Sequence, residues 1–329
     1  MTGFTEANPG KSLFRSFVTA LLKYKYVYAL LLPGAVFYII FAYGPMYGIL
    51  MAFEKFSIRR GVLGSQWIGL HNFELLFSKA DFWNAFSNTV IISLCKLIFV
   101  FPVPILLAIL LNEMFAGKFR NVLQTVYTFP HFLSWVLLAG IVTNIMGGTG
   151  AVNNLLGILG VPRQQFLASE GLFRPLIYIT DIWKESGWSS IIYLAAIAGI
   201  NVELYEAAKA DGAGRFRRIL HVTWPGIRPT VVILFILAIG NVMNAGFDQI
   251  FNLYNPVVMK VGDILDTYIY RTTFQSVSDF GYTTAVGLFK SILNFLLLIM
   301  ADRIVKMAGE EGIFVKSPAK TAKITGRGI

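Results

Sequence analysis

A chain of 329 residues with 56% hydrophobic and only 14% charged residues is too apolar for an ordinary soluble fold, in which about a quarter of residues are charged. Its formal net charge of +10 lies between apolar runs, so it bears on membrane orientation rather than on nucleic-acid binding. The single cysteine, Cys95, sits in an apolar run, excludes an intrachain disulfide and any multi-cysteine metal site, and reads as a small apolar filler.

The first long apolar run starts near Tyr26 and continues well past the length of a signal h-region without a small-residue cleavage site, so it reads as a retained helix. Six runs meet the requirement of about 20 residues for a spanning helix: 26–51, 89–111, 123–146, 176–200, 230–251 and 283–305. The fourth is interrupted by Asp181, Lys184 and Glu185, and the fifth is softened by Asn241, Asn244, Asp248 and Gln249. Between the first two spans, residues 52–88 are polar and aromatic, with Trp67, Phe73, Phe77 and Trp83, and suit an interfacial lid. Residues 147–175 are rich in glycine and leucine and are expected to pack on the membrane surface. With the N-terminus placed in the cytoplasm, the inner segments hold 17 lysines and arginines and the outer segments 8, so both termini are expected inside. The tail from Gly309 is short and basic.

The inner segment between the fourth and fifth spans is the most informative. Asn201 is placed to cap a short helix and Glu203 to favour its positive end. Glu206, Ala207, Ala208 and Lys209 are good helix formers, and Gly212 supplies a turn at positive φ. A basic stretch follows, in which Pro225 is expected to restart a helix and Pro229 to lead into the next span.

This stretch resembles the EAA loop of permeases from binding-protein-dependent importers, E-A-A-x-x-D-G-A followed about a dozen residues later by P-x-x-x-P. Glu206, Ala207, Ala208, Asp211, Gly212, Ala213, Pro225 and Pro229 fall on its positions in register. Trp224 stands where such proteins usually have leucine, and Ile219 where many have an aromatic; both exchanges are apolar for apolar. The stretches 129–135, 245–256 and 281–287 resemble the carbohydrate branch, in particular LplB-like and polysaccharide permeases related to the maltose and alginate importers.

The resemblance implies an all-α integral membrane protein, a MetI-like bundle of six transmembrane helices with a cytoplasmic coupling helix. Residues 1–25 would be a cytoplasmic tail, 26–85 the first span and outer loop, 86–308 the permease core with five spans and the EAA loop at 203–229, and 309–329 a second cytoplasmic tail. It implies a non-catalytic subunit of the bacterial inner membrane that passes an oligo- or polysaccharide. The expected partners are two ATPase subunits, which bind ATP and magnesium, a second and non-identical permease, and an extracytoplasmic solute-binding protein. No cofactor is expected on this chain itself.

Ionisable groups within spans cost roughly 2.5–3.5 kcal/mol each on insertion scales and therefore need partners or a function. Asp181 has Lys184 and Glu185 at i+3 and i+4, so a local ion pair and a pathway-lining role both fit, with Trp183 and Trp188 available to stack on sugar faces. Asn241, Asn244 and Asp248 recur on one face of a continuous fifth span, which suits interhelical hydrogen bonds or substrate contact. Lys290 and Asn294 form an i,i+4 pair, Lys96 is open to snorkelling or pairing, and His131 reads as packing at a proline kink.

Catalytic readings fail on residue inventory. Pro9-Gly10-Lys11-Ser12 resembles the end of a phosphate-binding loop, but Thr5 stands where its first glycine belongs and no strand precedes it. Three histidines without H-E-x-x-H leave a catalytic metal unsupported, and no G-x-S-x-G element is present. The remaining alternatives are an importer permease for a non-sugar solute and a secondary transporter, and the EAA loop counts against the latter because such a protein needs no ATPase dock.

Overall fold

In hydrocarbon every backbone N–H and C=O must be paired internally, so apolar runs of this length fold as helices. The computed structural model describes residues 19, 22–114, 117–275, 279–310 and 312–314. The Pro9–Ser12 fragment, nearly all of the 1–25 tail and most of the 309–329 tail lie outside the described residues. In chain order, α1 is Lys25–Phe53, α2 His71–Ser78, α3 Ala80–Glu113, α4 Lys118–Thr128, α5 Trp135–Met146 and α6 Ala151–Ile158. Then follow α7 Glu170–Ala198, α8 Val202–Ala210, α9 Arg215–Gly240, α10 Phe247–Leu253, α11 Leu265–Phe274 and α12 Phe280–Met307. The all-α expectation needs one small amendment: Glu54–Lys55 (β1) and Gln66–Trp67 (β2) pair antiparallel, with Phe53 stacked on Trp67 at 5.5 Å.

Among the described residues, five helical stretches are long and apolar enough to cross a membrane: α1, α3, α5 with α6, α9 and α12. The helix α7 qualifies as a sixth only together with α8, from which it is bent by 71°. Two boundaries differ from the reading of the sequence. The expected third span at 123–146 is broken: α4 ends at Thr128, a tight turn holds Pro130, and α5 starts afresh under a Ser134 cap whose Oγ accepts from the Leu137 N–H. Proline cannot donate and its ring crowds the preceding turn, so the break falls there. The expected fifth span at 230–251 starts fifteen residues earlier, at Arg215, and stops at Gly240. Pro225 does not restart a helix; it and Pro229 lie within the continuous α9.

The helices absorb such prolines in a recurrent way. Gly44, Phe101 and Trp224 each precede a proline and each donates to the carbonyl five residues back, that of Ile39, Lys96 and Ile219. Widening the turn to π geometry leaves room for a ring that would otherwise clash with the carbonyl four residues back.

Three apolar clusters hold the bundle. One joins Ile92, Val142, Phe173, Ile177 and Ile250; a second joins Leu76, Phe82, Met243, Tyr268 and Tyr282. The third, Ile105, Ala108, Tyr193, Ile197 and Ile227, binds the C-terminal ends of α3 and α7 to the first half of α9. Towards the opposite ends of α3 and α7, Asn88 donates to the carbonyls of Lys260 and Asp263, and Arg174 donates to Asn88 Oδ1 and to the Val261 carbonyl. The chain between α10 and α11 is thereby fastened to α3 and α7. The 18-residue apolar window of α1 has no buried position, and burial in this helix is confined to Ala52 at its C-terminal end.

Candidate functional site

Two features of the bundle concentrate unusual chemistry. The first is the inner corner. Asn201 Oδ1 accepts from the Glu203 N–H at 3.0 Å, as the sequence predicts for the cap of α8. At the other end Gly212 stands at φ +76°, where a Cβ is strained, and the N–H groups of Gly212 and Ala213 return to the carbonyls of Lys209 and Ala208. No residue of α8 is buried; Glu206, Ala207, Asp211 and Gly212 are exposed, and Val202, Leu204 and Phe216 expose apolar side chains beside them. The corner is nonetheless fixed to the bundle. Tyr205 Oη and Thr223 Oγ1 share a hydrogen bond of 2.9 Å between α8 and α9, and Gly226 packs against Ile200 with no room for a Cβ.

The second is a groove between α3, α7 and α9. A cavity of about 340 Å³ is lined by Ser93, Lys96, Asp181, Asn241, Asn244 and neighbours. A second, of about 310 Å³, runs on past Glu185, Ser186, Ser189 and Tyr193. They share Val100, Phe101, Ala238 and Asn241 and so form one passage. Two buried hydroxyls on its wall, Ser93 Oγ and Ser186 Oγ, have no hydrogen-bond partner among the described residues. A buried hydroxyl left unpaired costs about 1–3 kcal/mol, and a polar ligand would recover that.

The predicted pathway residues fall into two groups. Asp181, Asn241 and Asn244 line the groove. The others have different surroundings, and several expected pairings are corrected. Asp181 pairs with Lys96 at 3.0 Å rather than with Lys184, and it makes no contact with Glu185. Lys184 is buried and donates to the His131 carbonyl at 2.7 Å while lying 3.4 Å from Glu185. His131 is more than kink packing, for its Nδ1 lies 2.7 Å from Glu185 Oε2 and its ring stacks on Trp188. Trp183 is half-exposed and lines neither cavity. Asn241, Asn244 and Asp248 do not share a helical face, because Ala245 at φ +49° and Gly246 at φ +91° end the helical path between them. Asn294 does not pair with Lys290: its Oδ1 accepts from the Met243 N–H at 3.0 Å, and Lys290 binds Asp266.

The family model for the binding-protein-dependent transport system inner membrane component matches residues 100–308. The chain belongs to this family. Among curated relatives it is similar to the polygalacturonan/rhamnogalacturonan transport system permease protein YteP of Bacillus subtilis (strain 168), 42% identical over 297 residues, 89% of this chain and 92% of that one. It is also similar to Protein LplB of the same organism, 41% identical over 300 residues, 91% and 94% of the two chains. Among solved structures, a chain of the bacterial alginate ABC transporter in complex with alginate pentasaccharide-bound periplasmic protein superposes with a TM-score of 0.83 at 36% identity, over 90% of this chain and 99% of that one. These likenesses cover the bundle as well as the inner loop, so the MetI-like fold and the transport role of the permease rest on more than the EAA motif.

Within the permease, sequence reasoning missed Lys96, Ser93 and Ser186. For Lys96 the signal was available: a lone lysine inside an apolar span requires a partner. For the serines it was not, because helix serines usually bond their own backbone and only the structure shows that these two do not.

Proposed function

We propose that this permease forms half of a saccharide-conducting channel of an ATP-driven importer and takes its conformational drive through α8. The observation that carries the coupling role is an exposed helix, capped at both ends and rigidly tied to two spans, that buries none of its own residues. Small alanines at 207 and 208 allow close approach of a partner, and the Glu206 carboxylate can bond a cationic side chain. The partner proposed there is a separate ATPase subunit, two copies serving two permeases, with ATP and magnesium on the ATPase. Pro225 and Pro229 act within α9, where Pro225 follows the π turn at Ile219–Thr223.

Asp181, Asn241 and Asn244, joined by Ser93, Lys96 and Ser186, are proposed to line the path. Lys184, Trp188 and Asn294 support that path from behind, and Trp183 and Asp248 have no direct role. The groove is open along one side, which suits completion by a second, non-identical permease, and α1 offers an unburied apolar length for lipid or that partner. Cargo would arrive from an extracytoplasmic binding protein. An oligo- or polysaccharide fits the polar groups on an otherwise apolar wall, and the polygalacturonan/rhamnogalacturonan permease and the alginate transporter are consistent with it.

The test is Glu206→Lys and Gly212→Glu in the assembled importer. Both variants are expected to insert normally, to lose uptake, and to lose the response of ATP hydrolysis to loaded binding protein. Wild-type uptake by both would remove α8 as the coupling element.

A further inference from the structure

Lys96 is the ionisable group of the groove whose placement calls most for a role. It sits mid-way along α3 at the start of a π turn, with its side chain 16% exposed. Its ammonium is held from three sides. Gln249 Oε1 accepts from Nζ at 2.6 Å, and Gln249 is itself oriented by donating to the Ile177 carbonyl at 2.7 Å and to Thr180 Oγ1 at 2.9 Å. Asp181 supplies the counter-charge at 3.0 Å. Gly246, at φ +91°, leaves space that a Cβ would take from Nζ. An ammonium has three donors. Gln249 and Asp181 occupy two, and the third is left for the cavity that Lys96 lines.

The neighbouring capacity is of the same kind. Ser93, one helical turn before Lys96, is buried with an unpartnered hydroxyl on the same cavity. The amide of Asn241 is already engaged, donating to the Leu237 carbonyl and accepting from Asn244. Asp181 and the Asn244 amide oxygen offer acceptors to sugar hydroxyls on the same wall, and the free donor of Lys96, beside the Ser93 hydroxyl, is the cation there that can bond an acceptor carrying negative charge. Building on the saccharide-importer reading, we propose that Lys96 binds the carboxylate of an acidic sugar in the groove, so that this chain selects carboxylated saccharides. Asp181 keeps the resting pair neutral and competes with the cargo for the ammonium, which holds the anion weakly enough to let it leave, as conduction requires.

The experiment uses the complete importer in proteoliposomes with two probes of equal length: a uronic-acid trisaccharide and its carboxyl-reduced counterpart. The readout is the ratio of their uptake rates. Wild type is expected to favour the carboxylated probe, and Lys96→Gln to lower the ratio by roughly ten- to hundredfold, the size of one charge-assisted hydrogen bond. Lys96→Arg, which keeps the charge, is expected to retain most of the preference. A wild-type importer that moves both probes equally, or only the reduced one, overturns the carboxylate assignment and leaves the saccharide reading standing. So does an unchanged ratio in Lys96→Gln. If neither probe moves while the ATPase is active, the saccharide reading fails with it. Should Lys96→Gln not assemble, the wild-type ratio and Lys96→Arg still decide.

Discussion

At Gly187 the backbone of Tyr127 and Thr128 occupies the space a side chain would need. The contact lets α7 cross the end of α4 closely, and from that crossing follow the Lys184 bond to His131 and the stack of His131 on Trp188. Gly187→Ala is therefore expected to destabilise the protein by about 1–3 kcal/mol through overpacking. Gly171→Ala, in the same helix with nothing within 4 Å of the added carbon, should be neutral or slightly stabilising. Thermal unfolding midpoints of the two purified variants check this, and equal midpoints would contradict the close crossing. Asp302 illustrates a contact whose role is local: it accepts from Lys306 and from the Phe314 N–H, closing the end of α12 onto the residues that follow.

A π turn contains one residue more than the α turn it replaces, and the helix on either side keeps its phase. Deleting Ile98, an exposed residue of the Lys96–Val100 turn, together with Pro102→Ala, should convert that turn to α geometry while leaving Ile92 and Ile105 in their clusters. Deleting Leu106, equally exposed but in a regular stretch, should rotate the inner end of α3 by about 100° and prevent assembly. Yields of the assembled complex compare the two, and equal loss would mean that the π turn is not an absorbed extra residue. At this scale the sequence was most legible where structure is local. The Asn201 cap and the Gly212 turn depend on adjacent residues and stand as read, whereas the third and fifth apolar runs were misplaced where Pro130 and the Ala245–Gly246 turn break the helix. The Asn241–Asn244–Asp248 stripe failed because it assumed an unbroken 3.6-residue period, and an alanine at φ +49° carries no sequence signal. Lys96 with Asp181, and Lys290 with Asp266, were illegible as pairs because their partners come from other helices.

For the whole molecule, the lysine and arginine distribution predicts that α8 lies inside and the 54–67 hairpin outside. With Cys95 replaced by alanine, a cysteine at Leu63 should react with a membrane-impermeant thiol reagent in right-side-out vesicles. One at Ala210 should react only after permeabilisation; the reverse pattern would invert the topology. Some outer charges are structural: Arg271 bonds the buried Asp263, and Arg174 bonds Asn88 and a carbonyl. They were therefore countable for orientation but silent about what they hold. The stiff corner at α8 has a mechanical consequence. Because α8 follows α7 after a break of three residues and is bonded to α9 through Tyr205, it cannot shift without moving two of the three groove walls, while α3 is joined to them through the third apolar cluster. In the proposed coupling it works as a bell-crank: a push applied by the ATPase along one arm is turned through 71° and arrives as a change of spacing beside Lys96.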